Sequence, residues 1–174
     1  STLFPYTTLF RSDEDDGRHF QYIAVVTVPS PDTSPGALPY IAYDQVIDVG
    51  PDGTENVLLD LSQVLDVVDY ADGDAGGVTV DTPCTYQSVV DDTGECTHGN
   101  ALNWDESRGT WLMSTAINDA LFEFDESGRI EAYLGAVPDE GLFTRSPAYQ
   151  ANPYTIYAGG TFEFQHGANH AADG

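Results

Sequence analysis

Lysine is absent, and five arginines are the only Lys or Arg side chains, set against 29 Asp and Glu. The net charge is -24 and the isoelectric point is near 4.1. A chain of that sign repels phosphate backbones and anionic lipid surfaces, which excludes nucleic acid as a partner. No run approaches the roughly 20 apolar residues that cross a bilayer as a helix, so no membrane insertion is expected. Cysteine is scarce, with two residues in 174. Metal clusters are as poorly supported: the acidic run Asp13–Asp16 and the trio Asp69, Asp72 and Asp74 fit no calcium-loop signature, so no metal site is expected and solvated acidic surface is the simpler reading.

What is present is a core-forming composition, 41% hydrophobic and 11% aromatic, enough to fold one domain or part of a larger one. Residues 1–12, from Ser1 to Ser12, resemble the conceptual translation of a sequencing adapter. They are set aside from fold reasoning. Residues 13–174 are then read as an incomplete domain, open at both ends.

The pattern is β throughout. Strand composition marks Phe20 to Val28, Gln45 to Val49, Glu55 to Leu61, Gly99 to Trp104, Thr110 to Thr115, Ala120 to Phe124, Arg129 to Leu134 and Thr161 to Gln165, separated by Gly, Asp, Ser and Pro turns. A short helix is expected from a cap at Asp60 or Ser62 through Asp69. Pro29 to Pro39, Ala71 to Pro83 and Ala136 to Pro153 read as loops.

An internal repeat orders these strands. Asp44 to Gly53 matches Asp119 to Gly128: Asp opens each, apolar residues recur at the same offsets, and Gly closes the turn. Both predict hairpins of one kind, and Gly99 to Leu134 predicts a four-stranded meander the size of one propeller blade. The expected fold is all-β, a partial β-propeller of two to three four-stranded antiparallel blades, with a β-sandwich as the competing architecture. So few blades cannot close a ring, so the rest of its own propeller is the expected partner.

Cys84 and Cys96 enclose a short hairpin-like segment with Asp92-Thr-Gly94 at its tip. A disulfide there would stabilise by about 2–3 kcal/mol and fit an oxidising compartment. Free thiols, or a metal site with His98, are the alternatives.

Two histidines stand where blade-opening strands begin: His98 in Thr97-His-Gly-Asn100 and His166 in Phe164-Gln-His-Gly167. In a propeller such positions face the axis, so residues distant in sequence converge on one site. His19 and His170 have no such placement, and Trp104 and Trp111 read as packing aromatics.

These elements resemble the arylsulfotransferases, six-bladed β-propellers of the bacterial periplasm and similar compartments. The carriers are His98 and Asn100 opening a blade, Trp104-Asp105, the strand Trp111-Leu-Met-Ser114, the hairpin end Leu134-Gly135, and Gln165-His166 followed by Asp173-Gly174. The resemblance implies sulfuryl transfer from a phenolic sulfate ester to a phenol, without a nucleotide cofactor and with no other cofactor. It implies His166 as nucleophile, His98 as acid–base partner, Asn100 and Gln165 as substrate-binding residues, small phenolic or aryl sulfate substrates, and a periplasmic or secreted location. The chain departs from the family pattern at Ala116, where the enzymes carry Arg. A fixed guanidinium at such a place is worth roughly 3–4 kcal/mol to a transferring anion. A non-catalytic propeller that binds a small aromatic, a glycan or a protein ligand is therefore the alternative.

Overall fold

The computed structural model describes residues 19–30, 38–64, 86–88, 93–116, 120–135 and 146–158. In chain order the strands are β1 (Phe20–Pro29), β2 (Tyr40–Val49), β3 (Glu55–Asp60), β4 (Tyr86–Ser88), β5 (Thr93–Glu95), β6 (Gly99–Asp105), β7 (Thr110–Thr115), β8 (Ala120–Asp125), β9 (Ile130–Gly135) and β10 (Thr155–Ala158). Two helices interrupt them, α1 (Leu61–Val64) and α2 (Pro147–Ala151). The chain is all-β in character, as its alternating patterns predict.

Two five-stranded sheets form. In the second, β6 to β9 make the expected antiparallel meander, with β10 added parallel to β9. The first is built on β2, which pairs with β1 along its whole length. On its other side β2 takes β3 antiparallel over Gln45 to Val49 and β5 parallel over Tyr40 to Ala42. Each sheet therefore has one strand more than the four expected, and in each one pairing is parallel.

The repeat is visible in the turns. In the β2–β3 hairpin, Gly50 N–H donates to Thr54 O at 2.9 Å and Gly53 N–H to Gly50 O at 2.9 Å. In the β8–β9 hairpin, Asp125 N–H donates to Arg129 O at 3.0 Å and Gly128 N–H to Asp125 O at 2.9 Å. Gly53 and Gly128 share a left-handed backbone, φ 81° and 80°, which glycine adopts without strain. In both hairpins the register slips once on the second strand, at Leu58 and at Glu131.

One apolar cluster joins the sheets. Ile23, Ile41, Val46 and Leu59 from the first pack with Leu102, Trp111, Met113, Phe122 and Tyr133 from the second. The strand β8 contributes through strict alternation, with Ala120, Phe122 and Phe124 buried and Leu121, Glu123 and Asp125 partly exposed.

Several sequence expectations are corrected. Thr93 and Gly94 lie in β5, not at a hairpin tip, because both pair with β4 on one side and with β2 on the other. The stretch Ala136 to Pro153 is not all loop. Ser146 caps α2 by accepting the Tyr149 N–H at 3.2 Å, and Pro147 opens the helix with its φ already suited to it. The predicted helix appears as Leu61–Val64; its remainder to Asp69 lies outside the described residues, as does the strand Thr161 to Gln165.

Candidate functional site

β2 carries the one feature its hairpin twin does not explain. Asp44 is buried, 3% exposed, in the middle of a central strand. A carboxylate in such a place needs donors, and the chain entering the second sheet supplies them. Thr97 donates its hydroxyl to Asp44 Oδ2, Gly99 N–H donates to the same oxygen at 2.7 Å, and Asp44 N–H donates back to Thr97 Oγ1 at 3.0 Å. Burial raises the Asp44 carboxyl above its ordinary range, against the lowering effect of the Thr97 and Gly99 donors. Gly99 eases this approach, since a Cβ there would displace the Met113 methyl and lie 3.2 Å from Ile23 and 3.4 Å from the Asp44 carboxyl carbon.

His98 sits between these two donors. Its backbone is left-handed, φ 58°, a strained state for a residue with a Cβ. Two contacts hold it there: Ala116 N–H donates to His98 O at 3.0 Å, and His98 Nδ1 meets Glu95 Oε2 at 2.7 Å. The side chain is 26% exposed, beside a recess formed by Val25, Ala42, Tyr43, Asp44, Glu95 and Gly99. The Glu95 hydrogen bond raises the imidazole above its usual value, burial opposes it, and the charges of Glu95 and Asp44 raise it further. When neutral, a ring held this way keeps its proton on Nδ1, and Nε2 is the basic nitrogen.

Of the residues singled out from sequence, His98 and Asn100 come together at the start of β6, the edge strand of the second sheet. Ser114 donates to Asn100 Oδ1 at 2.6 Å, which fixes the direction of the amide. Ala116 is buried beside them at 1% exposure. His166 and Gln165 lie outside the described residues. Cys96 is fully buried and carries no free thiol, whereas Cys84 lies outside the described residues.

Asp44, Glu95 and Thr97 were not among the sequence candidates. Asp44 had a signal, since it opens the repeated hairpin; Glu95 and Thr97 had only their closeness to His98. Among the described residues no group of three or more His, Cys, Asp or Glu is placed to hold a metal ion. The described arginines are engaged elsewhere, Arg108 with Glu123 at 2.8 Å and Arg129 with Asp125 and Glu131.

No family model, curated protein or solved structure matches this chain.

Proposed function

We propose that this chain is part of an arylsulfotransferase-like β-propeller whose axial site moves a sulfuryl group between phenols. The two sheets are read as consecutive blades, each lacking or completing strands with the rest of the ring. His166 attacks the sulfur of an aryl sulfate, the S–O bond to the aryl group breaks, and its electron pair leaves on the phenoxide oxygen. His98 gives that oxygen a proton. In the second half, the acceptor phenol returns a proton to His98 as its oxygen attacks sulfur, and His166 is released. The observation that carries this reading is the 2.7 Å contact between His98 Nδ1 and Glu95, which orients the imidazole and favours its protonated form, the state a general acid needs. The recess at His98 has a cavity volume of about 10 Å³, far below the roughly 300–1,000 Å³ of small-molecule sites, so the reading requires further blades to complete the site.

The second reading is a non-catalytic propeller that binds its ligand at the same place. Ala116 favours it: the position meets the His98 carbonyl through its N–H and presents only a buried methyl group. A bridge between Cys84 and Cys96 belongs to either reading, together with a periplasmic or secreted location. It is supported by the buried Cys96 with no free thiol.

An aryl sulfate donor with a phenol acceptor separates the readings. Phenol release that is abolished by His166→Ala, unchanged by His170→Ala and slowed about 10²–10⁴-fold by His98→Ala supports transfer. Saturable phenol binding without turnover supports the binding module, and turnover that survives His166→Ala removes the mechanism.

A further inference from the structure

A second recess lies away from His98, where the start of the first sheet faces the hairpins of the second. Gln21 and Asp48 line it from β1 and β2, Trp104 and Trp111 from β6 and β7, and Glu126 from the β8–β9 turn. Its cavity volume is about 270 Å³, just under the roughly 300–1,000 Å³ of drug-sized ligand sites and enough for a small ion. The two indoles meet at 5.0 Å between centroids and 49° between planes, forming an aromatic corner. Asp48 accepts from Gln21 Nε2 at 2.5 Å and contacts His19 Nδ1 at 3.2 Å. That bond fixes the Gln21 amide and leaves its Oε1, on a side chain in a residue only 9% exposed, without a donor among the described residues. A buried acceptor with no donor calls for one from a ligand.

The chemistry of the lining selects the ligand. Two carboxylates, an orphan amide oxygen and two indoles favour a positive charge, neither Lys nor Arg lines the recess, and the basic side chain that does, His19, is about half exposed beside Asp48. We propose that this recess binds a small organic ammonium ion that also carries an O–H or N–H donor. The charge sits against the indoles and the Asp48 and Glu126 carboxylates, and the donor reaches Gln21 Oε1.

Trp104 and Trp111 are the only tryptophans, so intrinsic fluorescence reports on this place directly. The test titrates the full chain with choline, using its neutral carbon isostere and sodium chloride at matched concentrations as controls. The expected result is a saturable change with choline alone, half-complete below about 50 mM, weakened about threefold or more by Glu126→Gln and about tenfold by Trp104→Leu. Glu126 is exposed, so its substitution leaves the fold in place. Gln21→Met removes the acceptor at nearly constant shape and is expected to erase the preference for choline over tetramethylammonium. An equal response to the isostere, no saturable response, or affinity unchanged in both Glu126→Gln and Trp104→Leu would overturn the proposal.

Discussion

Gly53 and Gly128 close matching turns with the same left-handed backbone, and their surroundings differ completely. A Cβ on Gly53 would meet nothing within 4 Å, whereas one on Gly128 would lie 1.7 Å from the Leu58 carbonyl oxygen. The first turn projects into solvent. The second is pressed onto β3 of the other sheet. Local chemistry sets the turn in both copies, and docking of the sheets alone sets them apart. The same contrast runs along the strands: β8 is half-buried and alternates, while β2 holds four consecutive buried residues, Ile41 to Asp44, because β5 and the entry to β6 cover it.

The largest expected effect breaks that comparison at its sharpest point. Gly128→Ala combines left-handed strain with a backbone clash and should destabilise by about 3 kcal/mol or more, against about 1–2 kcal/mol for Gly53→Ala, where strain acts alone. Chemical denaturation of the two variants measures the difference. Equal losses would mean that the β8–β9 turn does not rest on the first sheet.

A smaller effect follows from titration where the sheets meet. The folded protein holds the His98 proton more tightly than the unfolded chain, whose imidazole titrates near 6.5. That stabilisation is complete below 6.5 and is lost as pH rises through the raised folded value. Asp44 acts in the same sense at lower pH: its carboxyl is raised above 3.8 by burial, so stability also falls as pH rises through that window. The melting temperature should therefore decline as pH rises above 6.5 through the raised His98 value, and Glu95→Gln should flatten this limb while leaving the acidic one. A decline that persists in Glu95→Gln would assign it to another group.

The smallest effects belong to the two turn arginines. Arg108 reaches across to Glu123, and Arg129 pairs within its own turn and with Glu131. Both guanidinium groups are about half exposed, so Arg108→Ala and Arg129→Ala should each barely move the melting temperature, with the loss shrinking further in high salt. Thermal melts at two salt concentrations measure it.

The strands legible from sequence are those whose burial alternates or whose ends carry turn residues, such as β8 with its Asp-Glu-Ser-Gly turn. The first half of β2 escaped notice because a strand covered on both faces does not alternate. The hairpin between positions 84 and 96 was legible, but its strands and the place of its tip were not, because Tyr-Gln-Ser and Thr-Gly-Glu are short and polar and are strands only through pairing of β4 with β5 and of β5 with β2. Ser146-Pro147 carried a helix start that the surrounding Pro and Gly content concealed. At the site, His98 was visible through its place before a strand. The burial of Asp44 was not, because its donors come from a segment more than fifty residues away.

The site at His98 exists because Asp44 of one sheet is tied to Thr97 and Gly99 at the threshold of the other. Both tryptophans lie in the second sheet, so their fluorescence follows its unfolding when the first sheet is altered. Asp44→Ala leaves two buried donors unsatisfied and should lower the fluorescence-detected stability by about 2–4 kcal/mol, in step with circular dichroism. An unchanged tryptophan transition beside a weakened dichroism transition would show that the two sheets fold independently and would contradict this account.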